Sequence, residues 1–469
     1  MLISPNNHLK TKGEYVFTAD VTATAHSVLA NGTLSELWNG FCCTAGNISF
    51  KETDEPVFIL GDGEIVSPEN YEYAINITEK GVAISAVNEN SLIHGFMTLH
   101  SMIKPLNLGE GEECFSIECG KIYDKANVKQ RMLHFCVMPT TSFEFFKKYI
   151  RLCGVLKYTH VILEFWGTLK LDSLQELAWK EAFSKEQVSE IFKEAEAMGI
   201  SLVPCFNHLG HASSCRSIHG KHVVLDQNPR LSMLFDPDGW TWDILNPDTK
   251  SLHKKVRDEL LEIFGDSEYF VIGCDEAPLY ENDSERAKIL CDYLNEVAHD
   301  LKQKGVRPIM WADMLLHGDT VKKRYAGDFE NYICNSKNGE IAEYLLNNLD
   351  RYIILGDWQY EVKKIPIVTT DYLMSFGFDV INCPWYQECD DTMRAHAETA
   401  RQNKVYATMM TTWNSGCIPG ALFYAQLCEE ETTEYRESVK AMPVTAMLLR
   451  KVYFADGDYK NAGWRESDF

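Results

Sequence analysis

Residues 269–276 read YFVIGCDE. Four large apolar residues, Tyr269 to Ile272, are followed by two small ones, Gly273 and Cys274, and then by two adjacent carboxylates, Asp275 and Glu276. A short apolar run with no polar alternation reads as a strand covered on both faces. Downstream, Leu290, Leu294, Val297 and Leu301 make one helical face, and further runs of the same kind follow at 307–313 (RPIMWAD), 352–358 (YIILGDW), 379–386 (DVINCPWY) and 405–413 (VYATMMTTW). Upstream lie 201–206 (SLVPCF), 160–165 (HVILEF) and 130–137 (QRMLHFCV). Between 160–165 and 201–206, Ser184-Lys-Glu-Gln187 reads as a capping box opening a helix whose apolar face is Val188, Ile191, Phe192 and Ala195. Eight strands alternating with helices predict an α/β fold, a (β/α)₈ barrel, with an open doubly wound sheet as the alternative.

In a barrel the active site lies at the C-terminal ends of the strands. Those ends carry Trp166, Trp311 with Asp313, Trp358, Trp385-Tyr386 and Trp413, five of the ten tryptophans in the chain. Indole faces at one rim either plug the barrel mouth or wall a pocket that stacks on a sugar ring. Asp275 and Glu276 end a run that is buried in this reading. Two acids side by side drive one pKa upward and leave one proton donor beside one anion, the pair that acetal cleavage requires. Strand three runs into PCFNHLGHASS, which brings His208 and His211 to the same rim. Their H-x-x-H spacing lacks the intervening glutamate and third ligand of a zinc protease, so a histidine that binds substrate or orients a carboxylate is expected, with a satisfied structural histidine as the alternative, and no metal is. No Walker A or G-x-G-x-x-G stretch occurs, and no nucleotide cofactor is expected.

The rest of the chain fits one large domain and one small one. Residues 71–78 and 82–86 read as strands around a turn at Glu79–Gly81, followed by a helix with Leu92, Phe96, Leu99 and Ile103 on one face. These predict a small non-catalytic α+β domain over 1–125. The barrel domain then runs over 126–469 and ends in helix, with Leu422, Leu427, Val439, Met447 and Leu448 as apolar anchors. Across 469 residues, 45 Lys+Arg against 68 Asp+Glu give a formal charge of −23, which excludes a general nucleic-acid binder or a protein drawn to anionic lipid. Fifteen scattered cysteines without a C-x-x-C pair argue against a disulfide framework and for a reducing compartment. With no apolar leader and no run of about 18 apolar residues, the expected setting is cytoplasmic.

YFVIGCDEA resembles the Gly-x-Asp-Glu signature of glycoside hydrolase family 20, the β-N-acetylhexosaminidases. NHLGHAS and LFDPDGWTWDILNP resemble segments flanking it, and YAINITEKGVAISAVNENSLIHGFMTLHSMI resembles the family's small α+β domain. The resemblance implies substrate-assisted catalysis, in which the 2-acetamido oxygen attacks the anomeric carbon and forms an oxazolinium ion. It implies Glu276 as the general acid and base, Asp275 as the holder of the acetamido N–H, and Trp311, Trp358 and Trp413 as a box around the acetamido group and sugar face. It further implies Arg131 on sugar hydroxyls, His211 in a Gly-His motif, Tyr386 on the acetamido oxygen, and Glu388 in place of a family aspartate. Two positions depart from the family. Val271 stands where a histidine is common, and Asn414-Ser415 follow the last tryptophan where an acidic residue is frequent.

The reading is an exo-acting retaining enzyme that removes terminal β-linked GlcNAc or GalNAc from an oligosaccharide or glycoconjugate, without cofactor. Its rivals are a sugar-binding barrel without turnover and a glycosidase that uses two carboxylates and a covalent intermediate.

Overall fold

The structure, a computed structural model, describes residues 3–18, 21–25, 48–50, 58–60, 71–106, 114–165, 167–212, 228–237, 239–277, 283–325, 331–385, 390–402, 404–413 and 417–430. The N-terminal part is an eight-stranded sheet: β1 Asn7–Thr18, β2 Val21–Ala25, β3 Ile48–Phe50, β4 Phe58–Leu60, β5 Tyr73–Thr78, β6 Gly81–Ala86, β7 Lys104–Leu106 and β8 Cys114–Asp124. The order is β1-β8-β5-β6-β4-β2-β3, with β7 also paired to β8. Tyr73, Ile75 and Ile77 alternate inward along β5, and helix α1, Glu89–His100, covers that face with Leu92, Phe96 and Leu99 buried. The predicted strand–strand–helix unit is thus the centre of a larger sheet.

The second part is a closed ring of eight parallel strands: β9 Arg131–Cys136, β10 His160–Glu164, β11 Ser201–Cys205, β12 Tyr269–Gly273, β13 Arg307–Trp311, β14 Ile354–Trp358, β15 Val380–Cys383 and β16 Ala407–Met410, the last pairing back to β9. Closure rules out the open sheet. Around it run α2 Phe143–Val155, α3 Lys185–Ala197, α4 Pro247–Phe264, α5 Ser284–Gln303, α6 Gly318–Arg324, α7 Gly339–Asn348, α8 Val368–Met374, α9 Asp390–Arg401 and α10 Ile418–Glu429. The capping box forms as read: Ser184 Oγ accepts from Gln187 N–H at 3.3 Å, and the Gln187 side chain accepts from Ser184 N–H at 3.0 Å. Helix α10 buries Leu422 and Leu427, whereas Val439, Met447 and Leu448 lie outside the described residues.

Each barrel strand is shorter than its apolar run. The run at 405–413 gives a ladder only over 407–410, and beyond it a single bridge joins Trp385 to Thr411. Tilted strands splay at a barrel mouth, so ladder pairing stops while the inward–outward alternation of side chains continues. The pieces that overshoot the ladder are the ones that reach the site.

At the opposite end, the small sheet is joined to the barrel by buried charge. Lys157 Nζ donates to Asp124 Oδ2 and to Tyr73 Oη, both at 2.9 Å, and its side chain and that of Asp124 are each only 5% exposed. Among the described residues no helix is long and apolar enough to cross a membrane.

Candidate active site

Period-two alternation sets what faces the barrel lumen. Met132, Ile162, Val203, Cys205, Val271, Ile309, Trp311, Ile354, Ile381, Cys383, Ala407 and Met409 pack as one cluster inside the ring. The same phase carries upward to His134 and Cys136 on β9, Glu164 on β10, Trp358 on β14 and Trp413 past β16.

Arg131 is out of phase with Met132 and His134, and the structure takes it away from the site. Its Nε donates to the Lys157 carbonyl at 2.9 Å, its Nη1 pairs with Glu429, and the residue is 2% exposed. These partners lie at the N-terminal ends of the strands, so the sugar-binding role implied for Arg131 is corrected: it is a structural cation at the barrel floor.

The acid pair sits on strained backbone. Gly273, Cys274 and Glu276 have φ of +67°, +76° and +50°, and His211 has +55°, a region that costs non-glycine residues about 1–3 kcal/mol each. Gly273 is obligatory, because a Cβ there would stand 2.0 Å from Asn207 Oδ1. The turn buries the Asp275 side chain at 2% exposure and leaves Glu276 at 46%, so one carboxylate is held in protein while the other opens to the mouth. His211 Nε2 lies 3.0 Å from Glu276 Oε2 and 3.5 Å from Asp275 Oδ2. One imidazole therefore bridges the two acids, and Trp240 packs against it with ring centres 4.1 Å apart and planes tilted by 56° while donating its N–H to the Glu276 carbonyl at 2.9 Å.

Asp313 completes the frame. Its Oδ2 accepts from Glu276 N–H at 3.0 Å and from the Asn335 amide at 2.8 Å, and its Oδ1 accepts from Trp358 Nε1 at 3.2 Å. Burial, and then the neighbouring Asp275, push its carboxyl up to about 7. It ties the acid turn to the aromatic wall.

The tryptophans form one connected aromatic wall. Trp413 has its ring centre 5.1 Å from Trp311 and 6.4 Å from Trp358. Trp311 is wholly buried and forms the floor, while Trp358 and Trp413 remain partly open. Tyr360 stands 5.1 Å from Trp358 and 5.4 Å from Trp385, and its hydroxyl accepts from Trp413 Nε1. His208, in contrast, is a core residue. It hydrogen-bonds the Phe206 carbonyl at 2.6 Å and Arg257 at 3.0 Å, and burial drives its pKa well down. His208 and His211 do not converge on one point.

Asp313, Trp240, Tyr360, His134, Glu164 and Asn207 received no role from the sequence. The lumen phase signals His134 and Glu164. Trp240 and Tyr360 sit on loops, where no periodicity marks them.

The sequence model described as "Glycosyl hydrolase family 20, catalytic domain" matches residues 159–415, more than half of the chain. The chain belongs to glycoside hydrolase family 20. A lacto-N-biosidase from Bifidobacterium bifidum is 20% identical over 267 residues, which cover 53% of this chain and 23% of that protein. The chain thus spans about a quarter of that relative's length. Among solved structures, an exo-β-N-acetylglucosaminidase from Vibrio harveyi superposes with a TM-score of 0.70 at 15% identity, over 95% of this chain and 77% of that one. The β-N-acetylhexosaminidase of Streptomyces coelicolor A3(2) gives 0.69 at 15% identity, over 96% and 95%, and that of Bacteroides fragilis gives 0.68 at 15%, over 95% of each. At such identity these structures show a shared fold.

In this family 20 chain, Val271 is a fully buried member of the apolar layer inside the barrel, where the family often has a histidine. Trp166, Tyr386, Glu388, Asn414 and Ser415 lie outside the described residues.

Proposed function

We propose that this chain is a retaining exo-β-N-acetylhexosaminidase that removes terminal β-linked GlcNAc or GalNAc from an oligosaccharide or glycoconjugate by substrate-assisted catalysis. The observation that carries the reading is the asymmetric acid pair, a buried Asp275 and a half-open Glu276 bridged by His211 beside a box of tryptophans. A half-open carboxyl exchanges protons with a leaving group and then with water. Glu276 protonates the glycosidic oxygen as the acetamido oxygen closes on the anomeric carbon, then takes a proton from the water that opens the oxazolinium ion. Asp275, sealed from solvent, accepts the acetamido N–H and offsets the positive charge that grows there. Trp311 floors the box, Trp358 and Trp413 wall it, and Tyr386 and Glu388 keep the roles that the family resemblance implies. A cytoplasmic setting is part of the proposal, and the eleven described cysteines, all free thiols, support it.

The test is hydrolysis of nitrophenyl β-GlcNAc, β-GalNAc and β-glucoside side by side, with Glu276→Gln as control. Cleavage of an acetamido sugar but not the glucoside, slowed about 10²- to 10⁴-fold in the variant, is expected. Cleavage of the glucoside would favour the covalent two-carboxylate mechanism, and sugar binding without cleavage a lectin-like barrel.

A further inference from the structure

The lumen holds a second polar cluster that the acid-pair chemistry does not use. His134 and Cys136 are two residues apart on β9, so both point inward. Glu164 ends β10 directly beside Cys136 in the strand register. All three are buried, at 0%, 4% and 3% exposure. His134 Nε2 lies 2.9 Å from Glu164 Oε2, Cys136 Sγ lies 3.5 Å from the same oxygen, and the sulfur and imidazole nitrogen are 3.9 Å apart.

We propose that His134, Cys136 and Glu164 form a binding site for a zinc-class divalent metal ion. Zinc bonds of about 2.3 Å to sulfur and about 2.0–2.2 Å to nitrogen and oxygen place tetrahedral ligand atoms roughly 3.3–3.6 Å apart. The three measured separations bracket that range, so one ion reaches all three donors with sub-ångström shifts. The donor set selects the metal. One thiolate, one imidazole and one carboxylate suit a borderline-soft ion, whereas magnesium and calcium demand six or more oxygens. The carboxylate is already oriented from outside, because the Asn207 amide donates to Glu164 Oε1 at 2.9 Å. With Nε2 on the ion, His134 carries its proton on Nδ1.

Three protein ligands leave a fourth position for water or a substrate oxygen. The site adjoins the sugar box: the His134 ring lies 4.6 Å from Trp413 and 5.8 Å from Trp311, and Cys136 packs on Trp413. That a sugar hydroxyl takes the fourth position rests on the proposed function. Metal binding itself does not.

The experiment is titration of the full-length, chelator-treated, reduced protein with Co²⁺, followed by absorption spectroscopy and then by Zn²⁺ displacement. One equivalent of cobalt with a thiolate charge-transfer band and tetrahedral d–d bands is expected, bleached by zinc. Cys136→Ser should lose the charge-transfer band while Cys119→Ser keeps it, and Asn207→Ala should weaken cobalt binding about 10- to 100-fold. Circular dichroism and melting of each variant separate loss of the ligand from loss of the fold. Absence of stoichiometric cobalt, or a band that survives in a folded Cys136→Ser protein, overturns the site. Because the readout is spectroscopic, its failure leaves the assignment of Asp275 and Glu276 untouched, and failure of hydrolysis leaves the metal site untouched.

Discussion

Asp313 links the acid turn to the tryptophan wall, and replacing it by Asn isolates that link. The carboxylate accepts three N–H groups, from Glu276, Asn335 and Trp358. An asparagine whose amide oxygen takes the Oδ2 position keeps the first two and turns its NH₂ toward the Trp358 N–H. One buried donor is then orphaned, at a cost of about 1–3 kcal/mol. If the bound substrate bears that cost, kcat/KM falls about 5- to 150-fold. Stability changes with a defined sign. Burial and Asp275 raise the folded-state pKa of Asp313 to about 7, so between its ordinary carboxylate value and pH 7 the folded protein keeps a proton that the unfolded chain has released. Wild-type stability therefore loses a contribution as pH rises through that window, and Asp313→Asn has no such loss. The melting-temperature gap between wild type and variant should be widest near pH 4 and narrow by pH 8. Thermal scans across that range, with kcat/KM on nitrophenyl β-GlcNAc, measure both effects. A gap independent of pH, together with an unchanged rate, would falsify the reasoning.

Three further outcomes follow from the geometry. Trp311→Ala should cost about 3–5 kcal/mol in denaturant unfolding because the ring is wholly buried, whereas Trp358→Ala, partly open, should cost less stability and raise KM instead. Gly273→Ala should lose activity and melt lower, since its Cβ would overlap the Asn207 side chain at a backbone angle of +67°; a wild-type rate would show that the turn is not fixed. Asp124→Asn should destabilise by about 3–5 kcal/mol because it strands the buried Lys157 ammonium, and adding Lys157→Met should restore much of the loss in chemical denaturation.

The barrel was legible because parallel strands covered on both faces are predominantly apolar runs, and all eight are visible as such. The acid pair and the tryptophans were legible because unusual residues end those runs. Arg131 misled because a motif places a residue near a strand without giving its phase, and one residue of offset turns a side chain from the lumen to the outside. The bridge made by His211 follows from a loop at positive φ, and the clamp made by Asp313 joins residues from three separate strand ends. Neither leaves a periodic trace. Trp240 and Tyr360 were illegible for the same reason.

The charged joint under the barrel also bears on how such a protein can be taken apart and recombined. Severing the chain after Asp124 would leave the barrel with Lys157 facing a void once filled by Tyr73 and Asp124. Next to it Arg131 and Glu429 already bind the first strand to the last described helix. The two units look like separable cassettes, yet grafting this barrel onto another protein's sheet would succeed only if the donor carried an acid and a hydroxyl to the same two points. Swaps at this boundary are thus restricted to partners that share the lock, and the sheet, though remote from the pocket, travels with the barrel as one heritable piece.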